Sequence, residues 1–178
     1  MTLPLTTISD EVFVATDEVV RLDAQAIELV RDRASKNARG RARICMHKDS
    51  AESLHEMLIA ITSASYIRPH RHHGKPESFH LVEGAVDVVL LHDDGEIAEV
   101  VPLGSGANFY YRLDTPRYHT LVLRTDVVIL HEITLGPFVP GAGDAAPFAP
   151  AEGDPAVGEY RDALARRVGE WRQLHGLH

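Results

Sequence analysis

His70, His72 and Glu77 lie in the run Pro69-His-Arg-His-His-Gly-Lys-Pro-Glu77, spaced His-x-His-x4-Glu, and Gly84 follows the glutamate after six residues. In an extended strand, residues i and i+2 project to the same face, so His70 and His72 aim side by side into one cavity. His73-Gly-Lys-Pro76 reads as a turn, and Glu77 opens the next strand beside them. A further histidine, His119, stands one strand-pair later in Pro116-Arg-Tyr-His119. Three imidazole nitrogens and one carboxylate form a mixed donor set that suits Fe, Ni, Zn, Cu or Mn. The expected cofactor is one divalent transition metal ion per chain, held by His70, His72, Glu77 and His119. The internal position and the agreement of all four spacings set this apart from a histidine-rich surface loop.

The patterning around the run is that of a β protein. Strands are expected over 41–46, 54–62, 65–69, 78–82, 85–91, 97–103, 108–111, 119–124 and 127–134, with a further short one over 12–15. His92-Asp-Asp-Gly95 is a hairpin turn, and Gly104-Ser-Gly106 and Arg124-Thr-Asp126 are further turns. Many short strands without helices between them predict a sandwich or jelly roll. A helix is expected over 22–36, with Asp23 as its N-cap, Ile27, Val30 and Ala34 on one face, and Gly40 as its stop. Residues 136–153, rich in Pro, Gly and Ala, read as an irregular loop. Asp154-Pro155 then starts a C-terminal helix whose stripe is Val157, Leu164, Val168 and Trp171.

His-x-His-x4-Glu-x6-Gly resembles the first cupin motif, and His119 stands where the second cupin motif supplies its histidine. Two flanking places depart from the pattern: Ala64 replaces a glycine before the first motif, and Asp114-Thr-Pro116 replaces Pro-x-Gly before the second. All four ligand positions are kept. Arg41-Ala-Arg-Ile-Cys-Met-His47, His55-Glu-Met57, Tyr66-Ile-Arg-Pro-His70-Arg-His72 and Gly136-Pro-Phe138 occur in that order, and together they resemble the WbuC-type cupin-fold metalloproteins. The resemblance runs from about Ile27 to Ala149. It implies a mainly β, single-domain cupin jelly-roll barrel with N-terminal and C-terminal flanking helices. Residues 1–40 would be a helical extension, 41–138 the barrel, and 139–178 a loop and helix packed on it. Members of that family are often encoded among genes for bacterial O-antigen or surface-polysaccharide synthesis, which implies a sugar or sugar nucleotide as substrate.

Composition narrows the setting. The 178 residues fit one domain with a sizeable core. Lys and Arg number 18 against 26 Asp and Glu, a net charge of −8, which disfavours nucleic acid or an anionic membrane as partner. The lone cysteine, Cys45, excludes an intrachain disulfide and fits a reducing compartment. The N-terminal stretch lacks the pattern of a signal peptide, and no apolar run is long enough to span a bilayer. The expected setting is the cytoplasm, and the expected assembly is a homodimer using an edge strand and the C-terminal helix.

Four further residues are candidates for the pocket. Arg43, Cys45 and His47 alternate, so they share a face. If that face looks inward, Arg43 can clamp an anionic group and His47 can move protons; if it looks outward, Arg43 is a salt-bridged structural residue. His55 and Met57 share a face of the next strand. Tyr66 and Arg68 share the parity of His70, so Tyr66 is either a general acid at the site or a barrel-filling aromatic. Cys45 reads as a small core residue. His73 and His80 are out of phase with the ligands, and His131, His175 and His178 have no pattern around them. No Gly-x-Gly-x-x-Gly, Walker A or Gly-x-Ser-x-Gly sequence is present.

Three functions follow. One is a metal-dependent enzyme acting on a small polar metabolite such as a sugar, by isomerisation, epimerisation or a related proton transfer with His47, His55 or Tyr66 as base. The others are an iron-dependent dioxygenase and a non-catalytic sugar- or metal-binding module.

Overall fold

Asp23 starts the first helix as expected: its carboxylate accepts from the backbone N–H groups of Gln25 and Ala26 in the computed structural model, which describes residues 3–139 and 143–177. The helix, α1 (Ala24–Lys36), is stopped by Asn37 rather than Gly40. The Asn37 side chain donates to the carbonyls of Arg33 and Arg41 and accepts from the N–H of Arg39, which satisfies groups that the helix end leaves open.

The strands are β1 (Leu5–Thr7), β2 (Val12–Ala15), β3 (Arg41–Cys45), β4 (Leu54–Thr62), β5 (His70–His72), β6 (Glu77–Glu83), β7 (Val86–Leu91), β8 (Ile97–Leu103), β9 (Tyr110–Leu113), β10 (Tyr118–Leu123), β11 (Val127–Leu135) and β12 (Gly143–Ala145). A second helix, α2 (Val157–Leu174), ends the fold. One sheet has the order β1-β2-β3-β4-β11-β6-β9 and the other β12-β5-β10-β7-β8. The pairing is antiparallel except between β2 and β3. The two sheets face each other as a jelly-roll barrel filled by Ile61, Phe79, Val86, Val88, Leu90, Leu103, Tyr111, Val128 and Leu130.

Three expectations change. Residues 65–69 are not a strand; the regular pairing begins only at His70. The first forty residues supply, besides the helix and the expected strand over 12–15, a further strand β1, and β1 and β2 extend the larger sheet beside β3. The stretch after Gly136 is not wholly irregular, because β12 pairs with β5.

Each helix covers the outer face of one sheet. α1 sets Ala26, Val30 and Ala34 against Ala42, Ile44, Leu58, Ala60 and Ile129. α2 sets Leu164 and Val168 against Val89, Leu91, Val100 and Tyr118. This explains why β7 is buried along its whole length: Val86, Val88 and Leu90 face the barrel interior while Val89 and Leu91 lie beneath α2. Asp87 shares that outer face and is 1% exposed. Arg172 of α2 donates to its carboxylate at 2.6 Å, and Arg124 lies at 3.3 Å. Burial, outweighing the two arginines, holds the Asp87 carboxyl above its ordinary value. The pair pins α2 to the barrel.

Replacing Arg172 by Met keeps the apolar stem but leaves Asp87 with Arg124 alone. Removing one partner of a buried charge pair costs about 1–3 kcal/mol here, because the second arginine remains. Urea denaturation of Arg172→Met, Asp87→Asn and the double variant should show coupling, with the double variant less destabilised than the sum; strict additivity would contradict the pin.

Candidate metal centre

The turn between β5 and β6 brings Glu77 beside His72, and the β5–β10 register sets His119 opposite His70. Gly84 closes the far end of β6, with φ +87° and a space in which a Cβ would lie 2.5 Å from the Val127 carbonyl oxygen; only glycine fits there. The donor atoms of His70, His72, Glu77 and His119 all lie within 4.8 Å of one another. His119 Nε2 is 3.1 Å from Glu77 Oε2, and His72 Nε2 is 3.5 Å from Glu77 Oε1.

Hydrogen bonds outside the cluster prepare two of the rings. His70 Nδ1 donates to the Arg68 carbonyl at 2.9 Å, and His119 Nδ1 donates to the Arg117 carbonyl at 3.0 Å. A carbonyl only accepts, so the proton sits on Nδ1 and each Nε2 presents a lone pair to the cluster. His119 Nε2 and Glu77 Oε2 are buried and, despite their proximity, have no hydrogen-bond partner in acceptable geometry. Two buried acceptors facing each other call for a cation between them. Two donors on a metal at about 2.1 Å stand at most about 4.2 Å apart, so shifts of a few tenths of an ångström per ring suffice. The residues fit a divalent transition metal.

Electrostatics agree. Burial, helped by His119, lowers His70 to about 4, so the ring is neutral near pH 7. Burial alone would raise Glu77, but the His119 and His72 imidazoles hold its carboxyl at about 2. Burial opposes the charged form of His119, yet the Glu77 carboxylate prevails and holds it above its ordinary value.

The cluster lies at the junction of two cavities. The smaller, about 300 Å³, runs from Phe79 and Leu130 past the ligands toward Glu11, Arg39 and Arg41. The larger, about 580 Å³, runs past Cys45, His47, His55 and Met57 toward Lys48, Lys75 and Phe138. Arg43, His72, Glu77 and Glu132 line both. Arg43, His47 and His55 are thus brought to the site, with the His47 and His55 rings stacked at 4.0 Å. Cys45 is buried on the same wall. Gly136 packs so closely that a Cβ there would lie 2.7 Å from His55 Nε2.

Tyr66 is not at the site. Without a strand over 65–69 the parity argument fails, and the Tyr66 hydroxyl donates to the Pro150 carbonyl at 2.9 Å while its ring packs edge-on against Tyr160 of α2. Burial pushes that phenol up to about 12. Arg68 likewise turns away, to the Ala146 carbonyl. The remaining histidines stay apart from the cluster: His73 bonds Asp144 at 2.8 Å, His80 stacks on His131 on the outer sheet face, and His175 stacks on Trp171. His178 lies outside the described residues.

Glu132 is the residue that the sequence reading passes over. It has the parity of Val128 and Leu130 on β11, so a carboxyl faces the barrel interior where an apolar side chain is the rule; that break in the alternation is its sequence signal. Burial first and the Glu77 carboxylate second raise it to about 8, against the pull of Arg43.

Two facing sheets, the His-x-His and Glu ligands on successive strands, and the fourth ligand across from the first complete the pattern. The fold is that of a cupin. A sequence profile described as a domain of unknown function, DUF6016, matches residues 22–103, from α1 through the first three cupin ligands. No curated protein matches the sequence. Among solved structures, a Shewanella oneidensis protein superposes with a TM-score of 0.54 at 9% identity, over 83% of this chain and 97% of the other, and shares the overall fold. The cupin domain of Schizosaccharomyces pombe Cnp3 aligns at a TM-score of 0.43 and 13% identity, over 57% of this chain and 64% of the other. L-ribose isomerase of Cellulomonas parahominis aligns at 0.44 and 13%, over 57% and 63%. Among the described residues, no helix is long and apolar enough to cross a membrane.

Titrating chelator-treated protein with Zn, Ni, Mn or Fe(II) should raise its melting temperature. His119→Ala should weaken metal binding by more than about 100-fold, since a lost ligand costs more than a lost outer partner. His80→Ala, on the outer face, should leave it unchanged. Binding needs neutral imidazoles and His119 is held above its ordinary value, so affinity should fall about tenfold per pH unit as the pH drops and that ring takes a proton. A pH-independent affinity between about pH 8 and pH 5 would contradict the assignment.

Proposed function

We propose that this cupin is a metal-dependent enzyme acting on a small polar metabolite, a sugar or sugar nucleotide, with one divalent ion held by His70, His72, Glu77 and His119. The observation that carries the reading is that the four donors converge on one wall of a cavity. A structural metal site is enclosed on all sides, whereas these four donors line the smaller cavity, and His72 and Glu77 also face the larger one that holds His47 and Glu132. A divalent metal held there would supply Lewis acidity to a carbonyl or hydroxyl oxygen of the substrate.

The chain's own groups supply the proton handling that an isomerisation or epimerisation needs. His47 Nδ1 donates to the Glu56 carbonyl at 3.2 Å, which leaves Nε2 as the basic nitrogen. Burial, aided by His55, lowers His47 below its ordinary value, so it is neutral near pH 7 and able to accept a proton. Glu132, held up to about 8, carries a proton at the same pH and is placed to give one. A base and an acid with opposed shifts on one cavity wall suit a proton transfer between neighbouring carbons of a substrate. The resemblance to WbuC-type proteins, with their place among surface-polysaccharide genes, supports the sugar class. The acidic balance of the chain weighs against nucleic acid and anionic membrane as partners; a cytoplasmic homodimer belongs to the same proposal.

The same donor set suits Fe(II), and the iron-dependent dioxygenase reading differs in one measurable respect. Metal content of protein purified without added metal or a histidine tag should be near-stoichiometric in wild type and lost in His72→Ala. Zinc, nickel or manganese with no oxygen uptake supports the isomerase-like reading; iron with substrate-dependent oxygen uptake replaces it. No metal even after reconstitution removes both. His47→Gln should lower kcat about 10²-fold or more while leaving metal content intact, as removal of a general base does.

A further inference from the structure

The larger cavity contains a cation with no ion-pair partner among the described residues. Three basic side chains of permanent charge line it: Arg43, Lys48 and Lys75. Lys48 Nζ is used up on the carbonyls of Ala15 and Asp17, both at 2.7 Å, and Lys75 Nζ donates to the Pro137 carbonyl. The neighbouring Arg39 and Arg41, at the mouth of the smaller cavity, both grip Glu152. Arg43 makes no ion pair with any carboxylate among the described residues, and it lines both cavities. Its chain carries 26 acidic against 18 basic residues, so acids to pair with are plentiful. A guanidinium left free in such a chain, on a cavity wall, offers a planar fork of donors that matches a carboxylate or a phosphate edge.

The rest of the cavity defines where that group sits. Asp49 and Glu77 face the same volume and repel an acid from their side. His47, two residues beyond Cys45 on the Arg43 face, adds a polar ring next to the free guanidinium. Beside Arg43 on the same sheet stand apolar side chains, Val12 and Val14 of the N-terminal hairpin on one flank and Met57 of β4 on the other. Ile8 and Phe138 at the rim are 63% and 61% exposed, an apolar margin of the kind that surrounds a concave ligand site. The volume, about 580 Å³, is within the range of small-molecule sites.

We propose that the ligand of this cavity is an acidic sugar or a related small oxyanion, its carboxylate or phosphate held by Arg43 beside His47, with the remainder of the molecule extending past Met57 toward the four-donor cluster. Only the orientation of that second end rests on the metal-site reading; the acid-binding seat at Arg43 does not.

The test is calorimetric titration of glucose 6-phosphate, glucuronate and neutral glucose into metal-loaded and chelator-treated protein, for wild type, Arg43→Gln, Arg43→Lys and the surface control Arg166→Gln. At least one acidic probe should bind wild type about tenfold or more tightly than glucose, and Arg43→Gln should lose about tenfold or more of that affinity, the value of a charge-assisted pair. Arg43→Lys should be intermediate, which separates the fork from the charge, and Arg166→Gln should match wild type. Which probe binds distinguishes carboxylate from phosphate. Arg43-dependent binding to the chelated protein, with no metal uptake by wild type, leaves the oxyanion seat standing and removes the metal reading. Normal metal uptake with no acidic probe bound, or with binding indifferent to Arg43, overturns the oxyanion seat and leaves the metal reading intact. Circular dichroism of each variant confirms that the fold is retained.

Discussion

The β5–β10 pairing is the contact on which the site depends. β5 is three residues long, too short to hold itself in place, and two of those residues are ligands. It is held on one side by β10, through the His119–His70 register, and on the other by β12. Because the side-chain period of a strand is two, a slip of one residue would turn His70 and His72 away from the cavity and bring Arg71 inward. The backbone carbonyls of Arg68 and Arg117 then act on the rings themselves, each accepting a hydrogen bond from Nδ1–H and so fixing which nitrogen faces the cluster. Backbone geometry therefore sets both the position and the protonation state of the ligands before any ion arrives.

A barrel can hold four polar side chains at its centre only if the rest of its surface compensates for that loss of apolar contact. Here both sheets gain a second hydrophobic layer on their outer faces, one beneath α1 and one beneath α2. The burial of β7 from both sides follows from this. The price appears at Asp87, a carboxylate placed where the outer layer is dry and stabilised only by the arginines that reach it from α2 and from the β10–β11 turn.

The elements legible in the sequence are those with local causes. Asp23 as a cap, the His92–Gly95 turn and the alternation along β4, β8 and β11 each follow from a few neighbouring residues, and the observed strands match them closely. The four-donor cluster was legible because its spacing encodes parity within strands. The failures came where parity was assumed without a strand: Tyr66 and Arg68 precede the first paired residue, and nothing obliges their side chains to alternate with His70. β12 was hidden because its pairing depends on a partner far away in the chain rather than on its own Gly-Asp-Ala residues. Glu132 was hidden for the opposite reason. Its parity was readable, but only knowledge of which face of β11 looks inward turns an ordinary glutamate into one beside Glu77.

The cavity also separates two scales of electrostatics that composition alone merges. Over the whole chain the charge is −8, which repels anions at long range. Within the barrel the acids beside the ligands are committed: Glu77 to the histidines that flank it, Glu132 to its raised, proton-bearing state. Arg43 is the cation that remains uncommitted on the cavity wall. Beyond about 10 Å the net charge is screened at moderate salt, so an anion close to the mouth meets the local field instead. Selectivity by such a site is steric and directional, since the fork of Arg43 rewards a planar acid and the apolar side chains beside it reward a body that can lie against them.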